Sequence, residues 1–194
     1  MTDDSKKTPP FGFDVDRILA FNRDWARDKL LADGEIAVMW VIHTREGGIL
    51  PVVFPDADVI PKPLLAHILG LICAAHDAWA IAMMSEAWMT SVRRGQWDGT
   101  APSESENRVE IAVVTLGGTD PDGEAIRRVA ISTIARDGAG KITGVEPCRE
   151  GSGEVVDSWL FDVSTGPFDP PTRELARATL AEKGISAMPP PTIQ

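Results

Sequence analysis

The chain is 194 residues long, 43% apolar, and carries a formal net charge of −10. That length suits one domain with ragged ends and can bury a core without disulfides or structural metal, while the apolar share argues against wholesale disorder. The acidic balance disfavours a broad electrostatic surface for nucleic acid or an anionic membrane.

Cys73 and Cys148 lie far apart and match no redox or zinc spacing, so neither a metal nor a cofactor is expected, and a reducing compartment is the simplest inference. Cys73 falls among apolar residues and reads as a small core hydrophobe. Met1–Pro10 shows no apolar segment of a secretory signal. The longest apolar run, Leu64–Ala75, is too short to cross a bilayer. The expectation is therefore a soluble, cytoplasmic protein. Between Gly95 and Ile126, seven acidic residues face Arg108 alone. Solvated acidic loops explain this; an acidic inhibitor mimicking nucleic acid is the sharper and more distant alternative.

In chain order, the first eleven residues read as a disordered terminus. Ile18, Phe21 and Trp25 recur at helical spacing, which predicts an amphipathic helix over Asp14–Asp33 closed by Gly34. Ile36–His43 and Ile49–Phe54 read as strands joined by a hairpin at Arg45-Glu46-Gly47-Gly48. Pro51 places the second strand at a sheet edge. Leu64, Leu65, Ile68, Leu69 and Ile72 describe a buried helical stripe. Trp79–Thr90 is apolar on both alternating sets, as in a strand covered on both faces. A long connector, Ser91–Asn107, follows, and connectors of that length are usually functional or disordered. Arg108–Leu116, Arg127–Arg136 and Lys141–Pro147 read as a meander, with turns at Gly117–Gly123 and Asp137–Gly140. Asp157–Val163 reads as one more strand. Thr172 is the expected N-cap of a last helix over Arg173–Lys183, ended by Gly184, and residues 185–194 read as a mobile proline-rich tail. The whole predicts a single α+β domain over residues 12–184. Its core is a mainly antiparallel sheet of about six or seven strands with two or three helices packed against one face.

The candidate site lies at the loop ends of two of these strands. If Thr90 stands opposite Arg108 in an antiparallel pair, Glu86, Trp88, Thr90, Arg108 and Glu110 share one face. Trp79, Ile81, Met83, Val109, Ile111 and Val113 then form a core layer on the other. A slip of one residue would set charges against apolar side chains, so the pattern selects this register. Glu86, Trp88, Ser103, Arg108 and Glu110 are thus the candidate ligand-binding residues, under the 91–107 connector. Paired carboxylates there can act as acid and base if their environments push them apart. The structural alternative has Arg108 neutralising Glu86 or Glu110, with Trp88 stacked on its guanidinium.

Other chemistry finds less support. Ser85 and Ser103 lie in no nucleophile elbow. His43, His67 and His76 have no metal-binding spacing. His76-Asp77 offers a general base, although a histidine at a helix end more often caps or packs. Glycine pairs in β-turns make no phosphate cradle. No catalytic residue is assigned.

Ser85-Glu86-Ala87-Trp88, followed by Pro102-Ser103 and Asn107-Arg108-Val109-Glu110, resembles a pattern in a family of short bacterial and phage proteins of uncharacterised activity. There a Ser-Glu-Ala-Trp strand precedes a Pro-Ser loop and an Arg-x-Glu strand entry. The resemblance covers Ser85 to Glu110. It implies an origin in a phage or other mobile element, hence the host cytoplasm, and it implies no reaction. The leading expectation is a non-enzymatic protein acting by binding a protein partner or by self-association, for which the apolar edge Ile49–Phe54 is a candidate. A small-molecule enzyme or sensor using Glu86, Arg108 and Glu110 is the alternative.

Overall fold

A computed structural model describes residues 12–90, 99–148 and 158–185. The expected disordered terminus, nearly all of the expected tail, residues 91–98 of the connector and Asp157 of the expected last strand lie outside the described residues.

Helix α1 (Val15–Asp33) starts at Asp14, whose carboxylate accepts from the Arg17 amide. It ends at Gly34, left-handed at φ +82°, whose amide donates to the Leu30 carbonyl. Glycine adopts that conformation without a Cβ penalty. The buried stripe is Ile18, Asn22, Ala26 and Leu30; Phe21 and Trp25 flank it, ring against ring at 5.7 Å.

Strands β1 (Met39–Thr44) and β2 (Ile49–Val53) form the expected hairpin, then α2 (Lys62–Ala75), β3 (Ala78–Met89), β4 (Val109–Thr119), β5 (Ala125–Arg136), β6 (Ile142–Pro147) and α3 (Pro170–Glu182) follow. All pairings are antiparallel, in the order β2-β1-β3-β4-β5-β6. The fold is α+β, and β2, with Pro51, is an edge. Asp120 and Asp137 build the two meander turns in the same way. Each carboxylate accepts from the amides two and four residues on, at 2.8–2.9 Å, and a left-handed glycine (Gly123, Gly140) completes the loop. Such side-chain mimicry of a backbone turn is why Asp and Gly mark these positions.

The helices do not share one face. Helix α1 packs on Met39, Val41, Ala80, Ala82, Met84, Ala112, Val114 and Leu116, whereas α2 and α3 cover Trp40, Ile42, Leu50, Ala78 and Ile81 on the reverse. The sequence pattern set all the helices against one face, whereas α1 lies on the face that bears Glu86 and Glu110. Only its end is polar; the alanines further along admit α1. In the α2 stripe, Leu65, Leu69 and Ile72 are buried, but Leu64 is exposed.

Two local features explain other departures. The β1–β3 register shifts so that His43 faces Ala80 while Thr44 faces Ala78. This leaves Trp79 as the extra residue of a bulge and turns its ring onto the α1 side, edge-on to Phe13 at 5.0 Å, as bulges re-aim side chains. Trp79 therefore does not join Ile81 and Met83, and in that expected layer Val109 is 40% exposed. Opposite the bulge, β4 continues through Gly117 and Gly118, residues that read as a turn. A Cβ on Gly118 would lie 2.4 Å from the Trp79 carbonyl oxygen; the glycine marks a close backbone approach inside a strand.

At the C-terminal end, Trp159–Asp162 is a short 3₁₀ helix, not a strand, with the Ser158 hydroxyl accepting from the Leu160 amide. The N-cap of α3 is Asp169, not Thr172: its carboxylate accepts from the Thr172 amide at 2.8 Å. Pro170 and Pro171 occupy the first turn, where a missing N–H costs nothing.

Candidate functional site

The β3–β4 register is the one the side-chain pattern selects, with Trp88 opposite Glu110 and Met89 opposite Val109. The charge partner is different. Arg136, at the end of β5, donates from Nε and Nη2 to the two Glu110 carboxylate oxygens at 2.8 and 2.7 Å, and from Nη2 to Glu86 at 3.3 Å. Its Nη1 donates to the carbonyls of Gly34 and Gly140, both at 3.1 Å. All five guanidinium donors are therefore engaged. The second Glu86 oxygen accepts from the Ile36 amide. Three neighbouring strands, the end of α1 and the β5–β6 turn are thus tied at one guanidinium. Its positive charge sits at the helix C-terminus, where the macrodipole favours it. The Arg136 hydrogen bonds hold the Glu110 carboxyl below the usual carboxylate range, against a smaller opposing effect of burial.

Arg108 takes no part in this cluster. Its guanidinium lies 4.8 Å from the centroid of the Trp88 ring and donates to the Ser103 carbonyl. The stacking half of the structural alternative is what the geometry shows, and the neutralising half belongs to Arg136. Ser103 contributes its backbone carbonyl and is exposed. Arg136 was within reach of the sequence: it ends a predicted strand of the same meander, and carrying the alternation one strand further puts it on the face of Glu86 and Glu110.

His43 and His76 serve packing. His43 is 2% exposed and its Nε2 accepts from Asn22 Nδ2 at 3.0 Å; the same amide group donates to the Ile18 carbonyl at 2.8 Å. Burial lowers the His43 pKa to about 4, so the ring is neutral with its proton on Nδ1. His76 is lowered by burial and by Arg177. Asp77 is a brace rather than a base: its carboxylate accepts from the Phe168 amide at 3.0 Å and faces Arg173 at 3.5 Å. Burial pushes the Cys73 thiol up to about 12 and leaves it inert. Among the described residues, no three metal-ligating side chains converge, and no helix is long and apolar enough to cross a membrane.

A concavity lies on the opposite side of the sheet, where no sequence signal pointed. It is a cleft of about 550 Å³ between α2 and the segment 159–168. Helix α2 supplies Lys62, Ala66, His67, Gly70, Leu71 and Ala74; the far wall is Trp159, Asp162, Ser164 and Phe168. Gly70 and the alanines lower the helix surface, and the Ser164 amide nitrogen lies 3.9 Å from where a Gly70 Cβ would stand. Trp159 is fixed against Trp40 at 6.3 Å, and Phe168 through Asp77. Among the described residues, no ion pair or side-chain hydrogen bond engages Lys62, His67 or Asp162. The two candidate places thus differ in kind: one has consumed its polar groups, and the other presents them.

No protein-family model, no curated protein and no solved structure matches this chain.

Proposed function

We propose that this is a binding protein whose ligand is a small molecule held in the cleft between α2 and residues 159–168. The observation that carries the reading is a contrast in side-chain pairing among the described residues, since Lys62, His67 and Asp162 are exposed and without side-chain partners. Glu86, Glu110 and Arg136 are mutually engaged and tie structural elements together. Lys62, His67 and Asp162 instead line a concavity with aromatic walls. A pocket with apolar walls and a few converging polar groups is the usual form of a ligand site. In this reading the Glu86 cluster is a structural tie, and the reading needs no nucleophile.

The test is ligand-induced stabilisation, since a ligand that binds only the folded state raises the melting temperature. A small-molecule panel is screened against the full chain and against Gly70→Phe, which plugs the cleft from the helix side. Hits that stabilise the parent and not the plugged variant support the proposal. An absence of hits, or hits indifferent to the plug, overturns it.

A second reading, binding of a protein partner or self-association, rests on exposed apolar residues at one end of the sheet. There Trp88 is 43% and Val53 55% exposed. Sedimentation of the parent and of Trp88→Ser tests it: a dimer dissociated by the substitution supports this surface, and a monomer at all concentrations removes self-association.

A further inference from the structure

The cleft has a polar end and an apolar end, and their order along α2 follows from two contacts. Phe168 is pinned by Asp77, just beyond the helix C-terminus. Ser164 lies level with Gly70 in mid-helix. The chain from 168 back to 159 therefore runs toward the helix N-terminus, bringing Asp162 to the end occupied by Lys62 and His67. One end thus offers an ammonium, an imidazole and a carboxylate, and the other offers Leu71, Ala74 and the Phe168 ring. From Lys62 to Ala74 the cleft is about 18 Å long at the rise of an α-helix.

Resting on the ligand-binding reading above, we propose that the ligand is a zwitterion with an apolar body, the chemistry of an apolar α-amino acid. Its carboxylate lies against Lys62 and His67, near the α2 N-terminus, where the helix dipole favours negative charge. Its ammonium group pairs with Asp162. The body lies along the helix surface lowered by Ala66 and Gly70. A plain anion would leave Asp162 facing like charge, and a plain cation would leave Lys62 in the same position. Only a ligand with both charges complements all the polar groups, and this mutual arrangement gives selectivity more than affinity.

The probe is L-phenylalanine, compared with 3-phenylpropionate, which lacks the ammonium group, with 2-phenylethylamine, which lacks the carboxylate, and with glycine, which lacks the body. Binding to the full chain is read by calorimetry and by quenching of tryptophan fluorescence, since Trp159 forms part of the wall. The expected result is saturable binding of L-phenylalanine, with each singly charged probe weaker by about tenfold or more, the scale of one lost charge-assisted contact, and glycine weaker by about tenfold or more through the lost apolar burial. Asp162→Asn should narrow the gap between L-phenylalanine and 3-phenylpropionate, and Lys62→Met the gap to 2-phenylethylamine. Equal or tighter binding of either singly charged probe overturns the zwitterion while leaving a ligand cleft. Unchanged preferences in the Asp162 and Lys62 variants overturn the assigned contacts. Failure of every probe, alongside panel hits that the Gly70 plug abolishes, overturns the ligand class alone; without such hits, the binding reading falls as well.

Discussion

Acid should destabilise this protein through one histidine. His43 lies buried against α1 as a neutral acceptor for Asn22, and protonating Nε2 would place a buried cation against the Asn22 amide donor. Its pKa is about 4 in the folded protein, against 6.5 for the free side chain. The unfolded chain therefore binds the proton more readily. Stability from this group is complete above pH 6.5, declines as pH falls from 6.5 to 4, and does not change further below that. A difference of about 2.5 pKa units corresponds to about 3 kcal/mol over that window, with about 2 kcal/mol already lost at pH 5. His76, also lowered, acts in the same direction. The measurement is urea unfolding at intervals from pH 7.5 to pH 4 for the parent and for His43→Gln. The substitution lowers stability at neutral pH, so the informative quantity is the slope against pH, in which other titrating groups cancel between the two proteins. The parent should lose about 3 kcal/mol more than the variant across the window. Parallel curves would refute a neutral, buried His43, as would an imidazole whose NMR shifts titrate near 6.5 in the folded state.

Two further predictions concern the sheet. Gly118→Ala sets a Cβ against the backbone of β3, at 2.4 Å from the Trp79 oxygen and 2.8 Å from Ala80 Cα. It should cost about 3 kcal/mol in urea unfolding, the upper range of overpacking. Gly117→Ala meets the Phe161 ring edge at 3.1 Å, and because a ring can swing aside it should cost about 1 kcal/mol or less; equal losses would dissolve the close-approach argument. Arg136→Met should lower the melting temperature clearly more than Arg108→Met, since the first strands Glu86 and Glu110 beside each other and the second removes a stacked surface arginine. The Glu110 carboxyl is held low in the folded parent, so its contribution is present above the ordinary carboxylate pKa and is lost as pH falls through the folded value. The gap between the parent and Arg136→Met should accordingly shrink below about pH 4.5. A gap that widens on acidification would contradict this assignment.

Residues whose meaning is local were legible in the sequence, and residues whose meaning depends on a distant strand were not. Asp120 and Asp137 announce their turns because each carboxylate satisfies amides within four residues. The β3–β4 register was legible because alternation over two long strands leaves one arrangement that keeps charge off the apolar set. The partner of Glu86 and Glu110 was missed because Arg108 is nearer in sequence. Antiparallel pairing, however, brings the end of β5 as close as the start of β4. Gly118 reads as a turn because its requirement comes from a bulge in β3 that no property of Gly118 records. The cleft is the extreme case. Its walls are about ninety residues apart in sequence, and one of them was read as a strand.

A cluster of charges in an apolar frame attracts attention in a sequence, yet its neighbours can consume it, as Arg136 does here with five donors. What marks a place for a ligand is the opposite condition, polar groups held in a concavity with nothing of the protein's own to satisfy them. Among the described residues, the exposed Lys62, His67 and Asp162 have no such partner, and they line the cleft where residues 159–168 cross α2 over a stripe of small side chains. The crossing is fixed at one end by Asp77 and at the other by the packing of Trp159 on Trp40. Asp77, which in sequence offers a general-base pair with His76, instead holds the far wall of the cleft in place.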